Sequence, residues 1–258
     1  MKMHQWGQKL RQLGAVALLA IPLSLPGTAR AVPVGLELSL LIDVSGSVNT
    51  AQYGLQLGGY VQAFQNPTVQ NAILGSVGGA IAVNFIQWSG AGQQVESIGW
   101  RLIDSVASSI AFAAEVNAVG RAFSGSTAPG SAINFAVPLF FSNTFVGQRM
   151  VIDVSGDGAQ NAGDDTATAR TNAVNAGFTI NGLPIGGEAS VTAFYQNSVI
   201  GGPNAFLEPS ATFNDFAVAI EKKLVREITN VPEPASLALF GLGLAALGMA
   251  RRRRAARG

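Results

Sequence analysis

Apolar and polar positions along this chain sort into alternating strand-like and helix-like stretches. Residues 36–42 form an apolar run ending in Asp43, the pattern of a central strand buried on both faces. Over residues 50–65 the spacing of Leu55, Tyr60, Val61 and Phe64 predicts an amphipathic helix, stopped by Pro67. Residues 80–88 predict a second strand and 94–101 a third, antiparallel and at a sheet edge. A helix over 105–119, a loop of small residues over 125–130 and a helix over 131–141, interrupted or kinked near Pro138, follow. Residues 150–154 predict a strand running into Ser155-Gly156-Asp157-Gly158; then come a helix over 166–176, a strand over 178–183 and a short strand over 205–207. Phe216, Ile220, Leu224 and Ile228 lie at helical spacing in a closing helix over 214–228, whereas periodicity over 188–200 does not choose between helix and strand. Such alternation predicts an α/β fold: a Rossmann-like open, mostly parallel sheet with helices on both faces.

The two ends follow different rules. Residues 1–31 combine a basic start, a continuous apolar stretch over 13–25 and Ala29-Arg30-Ala31, the small-x-small pattern of a cleaved secretory signal. Pro22 and Pro26 would break a helix meant to pack, which disfavours an amphipathic first helix. At the other end Val231-Pro232-Glu233-Pro234 precedes an apolar segment over 235–250 and then Arg251, Arg252, Arg253 and Arg254. At 1.5 Å per residue that segment reaches about 24 Å, short for a full transmembrane helix unless the arginines snorkel to the cytoplasmic side. The order resembles the PEP-CTERM sorting signal of Gram-negative bacteria. The resemblance implies export through the inner membrane, cleavage by an exosortase-type protease and delivery to the cell surface or an exopolysaccharide matrix. Membrane contact is then confined to the C-terminal segment before processing. The expected organisation is a signal peptide over 1–31, one domain over 32–230 and a sorting signal over 231–258.

Composition narrows the chemistry. A hydrophobic content of 48% against 12% charged residues supports a packed core over 32–230. There is no cysteine, which excludes thiolate metal sites and cysteine nucleophiles, and the one histidine, His4, lies in the leader. The mature protein therefore has no Ser-His-Asp triad. The formal charge of +1 hides an asymmetry, because nine of the 16 basic residues crowd the ends and leave 32–230 at −7. A domain so acidic is not expected to bind nucleic acid.

Three short segments stand just beyond predicted strands or at a helix start: Asp43-Val44-Ser45-Gly46-Ser47, Gly125-Ser126-Thr127-Ala128-Pro129-Gly130 and Ser155-Gly156-Asp157-Gly158. In an open α/β sheet, loops at the carboxyl ends of the strands converge on one crevice. Two carboxylates and three hydroxyls suit a hard divalent cation, Mg²⁺ first, with Mn²⁺ or Ca²⁺ as alternatives. Asp43-x-Ser45-x-Ser47 with Thr127 and Asp157 resembles the metal-ion-dependent adhesion site of von Willebrand factor A domains. Carried over by position, Ser45, Ser47 and Thr127 are the hydroxyl ligands, and Asp43 and Asp157 bind directly or through water. The turn at 155–158, Val199-Ile200-Gly201-Gly202-Pro203 and Ala219-Ile220-Glu221-Lys222-Lys223-Leu224 resemble a bacterial branch of these domains whose function is unknown.

Other readings of the same residues stay open. Asp153, Ser155, Asp157, Gly158, Asn161 and Asp164 occupy calcium-loop positions of an EF-hand, although a strand precedes them where that motif needs a helix. Asp164 and Asp165 read as an N-cap and first-turn acid. Trp88, Trp100, Phe140 and Phe141 read as core or rim rather than as a carbohydrate platform. Glu221, Lys222, Lys223, Arg226 and Glu227 read as the solvated face of the last helix. The expected function is a secreted, non-enzymatic, metal-dependent binding or adhesion module that holds an acidic group of a protein or polysaccharide through the ion. Two alternatives are a metal-assisted phosphoryl hydrolase with Asp43 as nucleophile and a structural matrix protein stabilised by its metal. The hydrolase would want a second carboxylate where Ser45 stands.

Overall fold

The computed structural model describes residues 31–229. The leader and the sorting segment, including the apolar stretch over 235–250, lie outside the described residues. Among the described residues no helix is long and apolar enough to cross a membrane.

The elements run β1 (Val32–Val34), β2 (Leu36–Asp43), α1 (Thr50–Gln65), α2 (Pro67–Leu74), β3 (Ile81–Trp88), β4 (Gln94–Ile103), α3 (Val106–Asn117), α4 (Pro129–Phe141), β5 (Phe145–Gly147), β6 (Met150–Gly156), α5 (Thr166–Asn175), β7 (Thr179–Pro184), α6 (Ala189–Phe194) and α7 (Phe216–Thr229). Five strands form one sheet in the order β4-β3-β2-β6-β7, parallel except for the edge strand β4. Every residue of β2 and β3 is buried, as a central parallel strand covered on both faces requires.

Alternation along the strands feeds two cores. Leu36, Leu38, Leu40 and Ile42 of β2, with Val83 and Phe85 of β3, pack against Tyr60 and Phe64 of α1, Phe112 of α3 and Phe216, Ile220 and Leu224 of α7. Leu41, Ile86, Trp88, Ile152 and Val154 face α4, α5 and α6 through Ile133, Phe140, Ala169, Val191 and Tyr195. The first core is rich in edge-to-face rings: Tyr60 meets Phe85 at 5.5 Å and Phe216 at 5.4 Å, and Phe64 meets Phe112 at 4.7 Å. Gly59 lets α7 approach α1, since a Cβ there would lie 2.6 Å from the Phe216 ring.

Caps fix the helix starts. Asn49 accepts from the Gln52 N–H while the Gln52 side chain accepts from the Asn49 N–H, a reciprocal box that starts α1; Ser105 and Ser108 do the same for α3. Asp165 caps α5 by accepting from the Thr168 N–H, so of the N-cap and first-turn acid read at Asp164 and Asp165 the N-cap is present, while the first turn holds no acid.

Several expectations change. Helix α4 continues through Pro138 without an interruption, because its buried Ala132, Ile133, Ala136 and Phe140 hold it to the sheet despite the lost hydrogen bond. The undecided stretch over 188–200 is helical, α6 leading into a π-helical turn, Tyr195–Val199. The short strand expected over 205–207 is a single bridge of Leu207 to Gly182, flanked by Pro203 and Pro209, which cannot donate to a ladder. Lys223 and Glu227 do not belong to a solvated face: both are buried, and Lys223 pairs with Glu227 and with Asp153 of β6. That pairing also removes Asp153 from any calcium loop. Trp88 and Phe140 are core, while Phe141 is 67% exposed.

At the start of the sheet Arg149 donates from Nη2 to the carbonyls of Glu227 and Ile228, so the last turn of α7 is tied beside β6. Thr229 and Gly35, the residue before β2, border one cleft. The four parallel strands β2, β3, β6 and β7 begin at this edge and end at the opposite one.

Candidate metal centre

The chain leaves β2 toward β3 on one side, and β6 joins β2 on the other. Neighbouring connections therefore diverge at the carboxyl end of β2, where an open parallel sheet forms its crevice. Asp43 is the last residue of β2, and the turn at 156–158 follows β6, which pairs Ser155 with Ile42. The loop carrying Thr127 reaches the same point from between α3 and α4. Gly46 N–H donates to the carbonyl of Gly125 at 2.8 Å, which fastens that loop to the first motif.

Four of the five expected ligands stand in a short arc. Ser45 Oγ and Ser47 Oγ are 3.1 Å apart, and Ser47 Oγ donates to Asp157 Oδ1 at 2.6 Å. Asp43 Oδ1 accepts from the Ser45 N–H at 2.7 Å. Thr127 lies against the turn after Asp157, with its hydroxyl 3.6 Å from the point a Cβ on Gly158 would occupy.

Asp43 is fully buried, not merely placed at a strand end, and its Oδ2 has no hydrogen-bond partner. Burial pushes its carboxyl up to about 7, opposed by the N–H and hydroxyl of Ser45, with the charge of Asp157 adding to the rise. A buried carboxylate oxygen with a second carboxylate and hydroxyls nearby is what a divalent cation would satisfy. The donor set fits a hard ion: all oxygen, two acids, three hydroxyls. Among the described residues no group of three or more acids, histidines or cysteines is placed to hold a metal.

Residues outside the motifs hold the loops. Arg121 donates from Nη2 to the carbonyls of Val44 and Ser45 and from Nε to that of Phe123. Ser89, just past β3, accepts from the Gly125 N–H and donates to the Ser126 carbonyl. Asn161 pairs with the Thr127 backbone in both directions, its Oδ1 accepting from Thr127 N–H and its N–H donating to the Thr127 carbonyl. Its place in the alternative calcium-loop reading is thus that of a scaffold for Thr127. Gly130 must be glycine, because a Cβ would fall 2.2 Å from the Asp164 backbone carbonyl oxygen; at Gly125 a Cβ would displace the end of the Gln93 side chain, 2.1 Å away. Arg121 and Ser89 carry no sequence signal, since the loop contacts that matter here, to Val44 and Ser45 and to Gly125 and Ser126, are with backbone far away in the chain.

Residues 33–232 match the family described as "Protein of unknown function (DUF1194)", and residues 230–254 match the PEP-CTERM protein-sorting motif. No curated protein matches the chain. Among solved structures it is similar to proximal thread matrix protein 1 from the mussel byssus, with 14% identity and a TM-score of 0.59, over 78% of this chain and 49% of that one. A further structure of that protein, with a zinc-occupied MIDAS motif, is 16% identical at a TM-score of 0.57, over 77% of this chain and 49% of that one. The pilus adhesin SpaC from Lactobacillus rhamnosus GG is 15% identical at a TM-score of 0.56, over 78% and 31%. The chain thus spans about half, or less, of the length of these neighbours, and the likeness is one of fold.

Proposed function

The chain belongs to the DUF1194 family, has a von Willebrand A-like fold and carries a PEP-CTERM motif, and on that premise we propose that it is a metal-dependent binding module. The sorting motif marks it as exported and processed at its C-terminus, at the cell surface or outside the cell. We assign residues 1–31 to a signal peptide, 32–230 to the binding domain and 231–258 to the sorting signal.

The observation that carries the metal reading is the unpaired, buried Oδ2 of Asp43 beside the linked set Ser45, Ser47 and Asp157. Thr127 is the fifth proposed ligand. The neighbour with a zinc-occupied MIDAS motif lends support, as do a thread matrix protein and a pilus adhesin sharing the fold. We expect Mg²⁺, with Mn²⁺ or Ca²⁺ as alternatives. A bound divalent ion would supply a coordination position for an acidic oxygen of a partner. Asp43 and Asp157 set its charge, the hydroxyls leave that charge incompletely neutralised, and Arg121, Ser89 and Asn161 keep the loops in register. The hydrolase alternative is weakened by the burial of Asp43, whose Oδ1 is already engaged by Ser45.

With the domain acidic by seven charges, long-range attraction gives an anionic partner nothing. Capture must come from the ion itself. Retention of matrix protein or polysaccharide on the immobilised chain should vanish with EDTA, return with Mg²⁺ and change little between 50 and 300 mM NaCl, about the range over which screening of surface charge would show. Retention that survives EDTA would refute the proposal.

A further inference from the structure

A second buried oxygen near the site has no partner: the hydroxyl of Tyr195. Tyr195 is fully buried and opens the π-helical turn Tyr195–Val199, closed by the Ile200 N–H donating to the Tyr195 carbonyl at 3.0 Å. Such turns insert a residue into a helix and re-aim its side chain. Here the ring is laid over β7, with Cδ1 2.8 Å from where a Cβ on Gly182 would stand. The hydroxyl thereby reaches β6. A Cβ on Gly156 would lie 2.7 Å from Tyr195 Oη and also 2.7 Å from Asp43 Oδ2. The two unpaired oxygens face one another across a glycine, no further apart than twice that distance.

We propose that Tyr195 is a positioning residue of the metal centre, its hydroxyl donating through one water to Asp43 Oδ2 and holding that carboxylate in one orientation. The inference rests on the metal reading above. A phenol suits this role, because its hydroxyl is a donor as well as an acceptor and the ring is fully buried beside β6. Ser45 serves one oxygen of the carboxylate and Tyr195 the other, while Gly156 keeps the space between them open. None of this is written in the Asp-x-Ser-x-Ser pattern, because Tyr195 approaches from a different helix.

The test uses the full chain and Mg²⁺ alone, followed by calorimetry. Tyr195→Phe keeps the ring and removes the donor, so Mg²⁺ affinity should fall about tenfold, the scale of one hydrogen bond to a charged group. Tyr60→Phe, whose hydroxyl lies 3.5 Å from Ser155 Oγ, should leave it unchanged. The chain has three tyrosines, so incorporation of 3-fluorotyrosine gives three ¹⁹F resonances. Tyr53→Phe and Tyr60→Phe identify the third as Tyr195, and it should shift on Mg²⁺ saturation. This keeps the proposal testable if Tyr195→Phe fails to fold. Equal affinity in a folded Tyr195→Phe protein, or a stationary Tyr195 resonance while Mg²⁺ binds, would overturn the role of Tyr195 alone. Absence of Mg²⁺ binding by the wild type would overturn both this inference and the metal reading.

Discussion

Lys223 Nζ sits 2.6 Å from Asp153 Oδ1, and both side chains are wholly buried between α7 and β6. Glu227, one turn on, places Oε1 2.5 Å from the same ammonium and accepts from Asn181 Nδ2 at 2.8 Å. One cation thus serves two carboxylates in the interior, and removing it leaves both uncompensated. Lys223→Met should destabilise the domain by about 3–5 kcal/mol. Chemical denaturation measures this, and a loss below about 1 kcal/mol would show that the ion pairs contribute little.

Asp153 also confers a pH dependence. Burial raises its carboxyl to about 7, the charge of Glu227 raises it further, and Lys223 opposes both; Tyr60 and Tyr195 also face the cluster. Because its pKa when folded exceeds its value near 3.9 when unfolded, the folded chain binds the proton more tightly between these limits. The associated stability is complete below about pH 4 and is lost as pH rises through 7. In an Asp43→Ala background, stability should therefore decline from pH 5 to pH 8, by at most about 1.4 kcal/mol per pH unit. Adding Asp153→Asn should flatten that slope; an unchanged slope would assign it elsewhere.

Replacing Asp43 should separate stability from ion binding. Its Oδ2 is buried without a partner, so Asp43→Ala removes an unfavourable burial along with the ligand. The variant also leaves the Ser45 N–H without its acceptor, so in EDTA it should still fold and melt close to the wild type. In millimolar Mg²⁺ the wild type should gain thermal stability and the variant should not. A variant that still shows the Mg²⁺-dependent rise would remove Asp43 from the ligand set.

Processing predicts a particular mass. The surface form should begin near Val32 and end near Pro232-Glu233-Pro234. Intact mass spectrometry of released protein decides the matter, and detection of Arg251 to Arg254 on that form would contradict it.

The parts of this fold most readable from sequence are those with enough letters to show a period. Strands β2 and β3 and helices α1, α3 and α7 fall within a few residues of where their apolar patterns put them. The parallel pair β1 and β5 has three residues in each strand, too few for any alternation to register. Lys223 and Glu227 misled for a different reason: a charged residue at i, i+4 from its opposite reads as surface, and only the position of Asp153 on another strand turns the pair inward. The candidate ligands rest on the Asp43-x-Ser45-x-Ser47 spacing and on the resemblance that adds Thr127 and Asp157, and the structure brings Asp43, Ser45, Ser47 and Asp157 together. Arg121, Ser89, Asn161 and Tyr195 were not legible in these roles, since what recruits them is proximity across the sheet rather than order along the chain.

The clamp of Arg149 on the end of α7 has a bearing on how the molecule presents itself. The domain's last described residue and the entry to β2 share one edge of the sheet, while Asp43 and the loops around it share the other, eight residues of β2 and so roughly 25 Å away. Any tether that grips the chain beyond Thr229 pulls on the heel of the domain and leaves its toe pointing outward. Tension along the chain would then load Arg149 and the last turn of α7 before it reached the Ser45–Ser47–Asp157 cluster, so a partner could be held at one end while the anchorage at the other is strained or cut.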